Sequence, residues 1–433
     1  PGPEGQRLGG IEPDPPLDDG FVVEEADAPQ HAEGVIRSGK LAGRTMWSAI
    51  WILSWPVLLQ QTATAFLGLV DKILAGKLPA DIRVAALDGL GIGAYVGWFI
   101  GIAMMGLGIG GQALIARAMG AGNNAESHNA LGQTMTLSMI WGALVGVLLW
   151  FGAPVIAHLT DLTPEAAVHC VDYIRVLSYA MPAAGVMLVG MMCLHGAGET
   201  TLPSIISVVA NIVNILLSYI LSGADLSYGD WTFENPFTFD WHVSGIAAGT
   251  AFSYLAGAIL TLIVLRRGVK DLRLETQDLG IRRKMATRII RIGIPSFLEG
   301  ISMWAVNLIV LMFIGSMNVP GYQGAHIIAV QWEAFSFLPG FAIGTAAGAL
   351  AGQYLGAGNV RMARKAVLVC AGIAALVMGT LGVVFILAGE PLTRVISNEP
   401  VHLELVPHLL MIAGFTQIFF AIALVVRQGL RGI

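Results

Sequence analysis

The sequence predicts an all-helical polytopic membrane protein: two parallel six-helix repeats, the second represented by only four helices, so that about ten helices cross the bilayer. Three observations carry this. Of 433 residues, 55% are apolar and only 12% charged, with a mean hydropathy of +0.71. Soluble proteins of ordinary composition carry about 25% charged residues. That difference excludes an ordinary cytosolic enzyme, a disordered regulator and a nucleic-acid binder. The second observation is the run of long apolar segments, each sufficient for the roughly 20 residues that a bilayer core requires. The third is an internal duplication. The 54 glycines fit the same picture, because small residues let helices approach closely in lipid.

From the N-terminus, residues 1–45 read as a disordered acidic tail. Positions 1–40 hold nine acids against three bases, with six prolines, too polar a mixture to bury an apolar core. Spans are expected near 48–75, 87–116, 130–158, 168–194, 202–222, 243–265, 290–315, 324–355, 366–389 and 402–428. Trp47, Trp51 and Trp55 recur at every fourth residue and suit an interfacial anchor. The connection 266–291 holds nine basic residues, so the positive-inside rule places it in the cytoplasm, together with the N-terminus. Localisation in the plasma membrane follows as the expectation. Segment 223–242 alternates aromatic and polar residues around Glu234-Asn235-Pro236, which predicts a short interfacial hairpin. The expected units are thus a tail (1–45), a six-helix lobe (46–267), a basic linker (268–289) and a second lobe (290–433). Cys170, Cys193 and Cys370 lie apart in apolar stretches and suggest neither a disulfide framework nor a metal site.

Self-comparison aligns Ala113–Asn123 (ALIARAMGAGN) with Ala349–Asn359 (ALAGQYLGAGN), identical at six of eleven positions with an offset of 236. Carried forward, the offset places His195-Gly196 on Arg431-Gly432; carried backward with a three-residue shift, it places Pro56 on Pro295. Each repeat therefore spans an even number of helices, which makes the halves parallel repeats about an axis along the membrane normal. Two further helices are expected after Ile433, and the chain opens on Pro1 rather than Met, as a fragment would.

Several marks occur in order. They are Pro56 to Asp71 in the first span, the paired Gly-Ala-Gly-Asn helix ends, and His195-Gly196-Ala197-Gly198-Glu199-Thr200. Pro203 with Asn211, Asn214 and Tyr219, and Ala325-His326 with Glu333, complete the set. With these marks the chain, from about Trp47 onward, resembles the multidrug and toxic-compound extrusion (MATE) family. The resemblance implies twelve helices in two lobes that export drug-like, often cationic compounds in exchange for protons or sodium ions. It implies no cofactor, with a small organic molecule and the lipid bilayer as partners, no nucleic acid and a monomeric protein. Family members often carry an Asp where Ser218 stands, and some carry an acid near Phe420; this chain has neither.

Ionisable residues inside a span are functional candidates by default. At 100° per residue, Gln60, Thr64 and Asp71 fall within about 40° of each other, and Ser204, Ser207, Asn211, Asn214 and Ser218 within about 80°. Two polar stripes can line one hydrated pocket. There Asp71, with Asn211, Asn214, Ser218, Gln60 and Thr64, is the expected ion-coupling site, for a proton or for sodium, a hard cation that favours oxygen ligands. The bland alternative pairs Asp71 with Lys72. In the second repeat Glu299, Glu333 and His326 are the candidates for a substrate or cation site, or for structural hydrogen bonds. Arg175 and Arg427 snorkel or pair with internal acids.

The Gly-Ala-Gly-Asn ends read as helix caps rather than phosphate loops. No Walker-type motif occurs, which argues against ATP drive. A secondary antiporter is the expected function. A lipid-linked glycan flippase is the alternative, although it would call for a more cationic cavity. A membrane enzyme would need a nucleophile–base pair or clustered ligands, which the sequence does not suggest, and no catalytic residue is assigned.

Overall fold

The computed structural model describes residue 41 and residues 44–432, apart from positions 76, 80, 161, 229–230, 234, 238, 270, 318–321 and 397–399. The acidic head up to residue 40 lies outside the described residues. Helices dominate: α1 (Met46–Ala75), α2 (Arg83–Gly120), α3 (Asn124–Leu159), α4 (Pro164–Tyr179), α5 (Met181–Gly196) and α6 (Thr201–Ser222). A two-stranded hairpin follows, β1 (Leu226–Tyr228) paired antiparallel with β2 (Trp231–Phe233). Then come α7 (His242–Arg267), α8 (Arg283–Ser316), α9 (Tyr322–Gly356), α10 (Val360–Leu387), α11 (Gly389–Ile396) and α12 (Pro400–Arg431).

Among the described residues nine helices are long and apolar enough to cross a membrane, or ten if α4 and α5 form one span bent by 61°. The sequence reading had 168–194 as one uninterrupted segment. The chain instead turns at Ala180, and Pro182 lies in the first turn of α5, where its missing N–H costs no helical bond. Two smaller details also differ. Tyr228 pairs with Trp231, so Asn235 and Pro236 follow the strand pair rather than forming its turn; Glu234 lies outside the described residues. The linker expected to run to residue 289 ends earlier, because α8 begins at Arg283.

The duplicated sequence marks are helix caps. Gly122 (φ +71°) and Gly358 (φ +79°) adopt the left-handed conformation that glycine tolerates. The following asparagines donate the backbone N–H that closes each end, Asn123 N to the Ala118 carbonyl (2.8 Å) and Asn359 N to the Tyr354 carbonyl (2.9 Å). Each asparagine side chain then caps the next helix, Asn123 Oδ1 accepting from Glu126 N (3.1 Å) and Asn359 Oδ1 from Met362 N (2.9 Å). A glycine to stop one helix and an asparagine to start the next explain the repeated tetrapeptide without any ligand.

The same repeat organises the packing between halves. A Cβ at Gly120 would overlap the Gln353 carbonyl, and one at Gly356 would overlap the Arg117 carbonyl; the two contacts are related by the offset of 236. The α2 and α9 ends therefore meet backbone to backbone about a local twofold. Gly106 and Gly293 do the same between α2 and α8. α1 crosses over in turn: Ala49, Ile50 and Leu53 pack with the apolar core of α9, α10 and α12, whereas Leu74 and Ala75 pack with the core of the first repeat.

The end of the bundle carrying the 268–282 connection is called the basic end here, and the other the hairpin end. At the basic end, buried Gln133 of α3 holds the connection through three backbone groups. Its Nε2 donates to the carbonyls of Asp278 (2.8 Å) and Gly280 (2.6 Å), and its Oε1 accepts from Arg282 N (2.7 Å).

Candidate functional site

The first polar group gathers where α1, α4, α6 and α7 converge, nearer the hairpin end. On α6, Asn214 and Ser218 are buried one turn apart. Asn214 Nδ2 donates to Thr250 Oγ1 of α7 (2.9 Å), and Ser218 Oγ donates to Asn214 Oδ1 (3.2 Å). Ser218 sits against Gly249, where any Cβ would collide with its hydroxyl. The phenol of Tyr173 on α4 lies close to the Thr250 hydroxyl. The Tyr173 ring occupies the space left by Gly93 of α2. Asp71 of α1 completes the group, close enough to Tyr173 and Tyr254 for its charge to act on both. Among the described residues its buried Oδ1 has no hydrogen-bond partner. A buried carboxylate oxygen left unpaired is costly unless something binds it.

The pocket contains three of the six expected coupling residues together: Asp71, Asn214 and Ser218. Asn211 lies one turn earlier on α6, with its Nδ2 buried and unpartnered. Thr64 instead donates to the Gln60 carbonyl of its own helix (3.0 Å), and Gln60 Nε2 reaches Met191 Sδ (3.9 Å) while its Oε1 is buried without a partner. The Lys72 side chain lies outside the described residues. Tyr173, Thr250 and Tyr254 were not singled out from the sequence. The available signal was Thr250 and Tyr254 at i, i+4, one polar stripe on an otherwise apolar seventh helix.

Between pocket and basic end, Pro56 lies inside α1 and leaves the Ile52 carbonyl without its helical N–H. The Thr200 hydroxyl donates to that carbonyl (3.2 Å), and Ser204 Oγ lies 2.5 Å from the Pro56 carbonyl oxygen. Side chains at the start of α6 thus compensate for the proline.

The second group is ionic and lies in the second repeat. Glu299 of α8 faces two guanidinium groups of α12: Oε1 accepts from Arg427 Nη1 (2.5 Å) and Oε2 from Arg431 Nη2. Each carboxylate oxygen therefore already faces a cation. His326 and Glu333 share α9, but among the described residues no bond joins them to each other or to Glu299. Near Glu333, Ser336 bonds to Gln417 of α12 (3.0 Å), whose Nε2 is buried without a partner. Arg175 stacks over Trp150, 5.2 Å from the ring centroid, rather than pairing with an acid.

Two lobes' worth of helices, a polar pocket and no nucleophile–base pair among these groups describe a transporter's architecture, and comparison with known proteins agrees. A family model described as MatE matches residues 56–220 and 295–433. The chain belongs to the MATE family. Its relatives include the probable multidrug resistance protein NorM of Thermotoga maritima, 26% identical over 88% of this chain and 78% of the relative. The multidrug resistance protein PmpM of Pseudomonas aeruginosa is 23% identical over 88% and 77%. A crystal structure of a MATE mutant superposes with a TM-score of 0.80 at 19% identity, covering 90% of this chain and 83% of that one. An outward-facing MATE transporter gives 0.74 at 20% identity over 90% and 84%. This MATE protein is accordingly a multi-pass membrane transporter of the multidrug efflux type and not an enzyme.

Proposed function

We propose that this MATE protein is a secondary antiporter, exporting drug-like compounds in exchange for protons or sodium ions, with Asp71 as the coupling carboxylate. The observation that carries the reading is the unpaired, buried Asp71 oxygen beside Tyr173 and the Thr250–Asn214–Ser218 network. A proton on Asp71 removes the unpaired charge directly. A sodium ion does so by gathering oxygens from Asp71 and the neighbouring hydroxyl and amide groups. One carboxylate accommodates one positive charge, and Ser218 offers no second acid. Asn211 and Gln60, with unpaired polar atoms on the same two helices, extend the pocket toward Pro56 of α1.

The two halves rock about the seam where Gly120 and Gly356 meet. Ion binding changes how α1 packs against α6 and lowers affinity for the exported compound; release on the other side resets the cycle. The basic end faces the cytoplasm, which places the N-terminus inside and the Asp71 pocket toward the outer face of the plasma membrane. The protein works as a monomer.

The test uses full-length protein in liposomes, with proton and sodium gradients imposed separately. One of the two gradients should drive efflux, and Asp71→Asn should reduce that efflux to the empty-liposome rate while the protein still folds. Undiminished gradient-driven efflux by the variant would sink the reading.

A further inference from the structure

The Glu299–Arg427–Arg431 triad has a charge imbalance that the ion-coupling reading leaves unused. Two guanidinium groups share one carboxylate, which leaves one net positive charge. Arg427 Nε is also buried without a hydrogen-bond partner. The group is not sealed: the side chains of Arg427, Arg431 and Glu299 are 31%, 15% and 34% exposed. Gly344 and Gly348 of α9 pack against Gln428, and Gly348 and Gly352 against Gly432, so the arginine pair lies about four to twelve residues before the α9 end at Gly356, about 6–18 Å at 1.5 Å per residue. A net cation at that depth is expensive unless an anion joins it.

The geometry selects the kind of anion. Arg427 and Arg431 are one turn apart on a single face of α12, and planar guanidinium forks are suited to carboxylate, sulfonate or phosphate oxygens. Glu299 already shows that a carboxylate fits between them. The triad also joins helices that pack against different repeats. Gly300, next to Glu299, packs on Ile102 and Met105 of α2, so α8 is held by the first repeat, whereas α12 packs with α9 and α10. Replacing Glu299 with another anion would loosen α8 from α12 at that point.

We propose that Arg427 and Arg431 bind the anionic group of the exported compound, with Glu299 as the built-in counter-ion that the compound displaces. The preferred substrates are then zwitterionic or acidic amphiphiles, rather than simple cations. The inference rests on the efflux reading above and specifies its substrate class.

The test compares a rhodamine carrying a free carboxylate with the ethyl ester of the same dye, using full-length protein in liposomes and in detergent. The acid should be exported faster than the ester. Arg427→Gln with Arg431→Gln should lower acid binding by about tenfold or more, and by more than it lowers ester binding. Glu299→Gln should instead tighten acid binding several-fold, because the competing carboxylate is gone; a purely structural triad predicts weaker binding. Fluorescence polarisation on purified protein decides the matter even if neither dye is pumped. The proposal is overturned if wild type does not bind the acid, or binds acid and ester equally. It is also overturned if the double variant binds the acid as well as wild type does. Ion-driven export of the ester with no preference for the acid would overturn this proposal while leaving the antiport reading intact.

Discussion

The Asp71 pocket and the Glu299 triad occupy opposite repeats and solve opposite electrostatic problems. In the first repeat a single carboxylate has an oxygen with no partner, surrounded by neutral hydroxyl and amide groups. In the second repeat the carboxylate is saturated and the surplus charge is positive. The pocket lies toward the hairpin end and the triad toward the basic end. Yet the backbone plan is shared, down to reciprocal contacts of Gly120 with Gln353 and Gly356 with Arg117. Duplication preserved the helix caps and the seam. The charges diverged, leaving one half short of a cation and the other short of an anion.

The seam provides the most drastic way to break that comparison, because both halves depend on it equally. Gly120→Leu, or Gly356→Leu, should prevent α2 and α9 from closing at the basic end, at a cost of about 1–3 kcal/mol to that packed state. Transport of every compound should fail, and a cysteine introduced near Gln353 should become reactive to a water-soluble thiol reagent. Normal export with an unreactive cysteine would show that the seam is not the gate. A smaller effect, confined to the first half, is expected from Asn214→Ala. It removes the two hydrogen bonds that link Thr250 to Ser218, although both hydroxyls keep the Ile246 carbonyl, and should cost about 1–3 kcal/mol. Ion dependence of efflux should weaken while dye binding at the arginine pair is unchanged; equal loss of both would erase the distinction between the halves. Thr200→Val should do least. It removes one hydroxyl from the Ile52 carbonyl, about 1 kcal/mol by hydrogen-bond loss, and should lower thermal stability by a few degrees without changing ion selectivity.

Much of this architecture was legible in the sequence, since a bilayer permits few alternatives. Apolar length fixed the spans, and the Gly-Ala-Gly-Asn repeat exposed the duplication. Asp71, Asn214 and Ser218 were found by helical angle, because a polar stripe in a span has few uses other than facing inward. The partners across helices were harder to read. Tyr173 is one aromatic among many, and only the void at Gly93 shows why it points at Thr250. Thr64 shared the predicted face with Asp71 but spends its hydroxyl on its own backbone, a competition that angle alone does not reveal. Arg427 was noted as a cation in a span, but Arg431, four residues on, was not singled out from the sequence. Their engagement of Glu299 depends on how α8 crosses toward α12, which no local pattern encodes.

The central claim is that ion and substrate are held by different halves and communicate through their packing. The most direct measurement is the affinity of the carboxylate-bearing rhodamine for purified full-length protein, titrated against pH and sodium concentration. In wild type, raising the concentration of the coupling ion should weaken dye binding by about tenfold, a coupling of about 1.4 kcal/mol. In Asp71→Asn the affinity should no longer respond to the ion. Dye binding that depends on the ion as strongly in Asp71→Asn as in wild type would contradict the account.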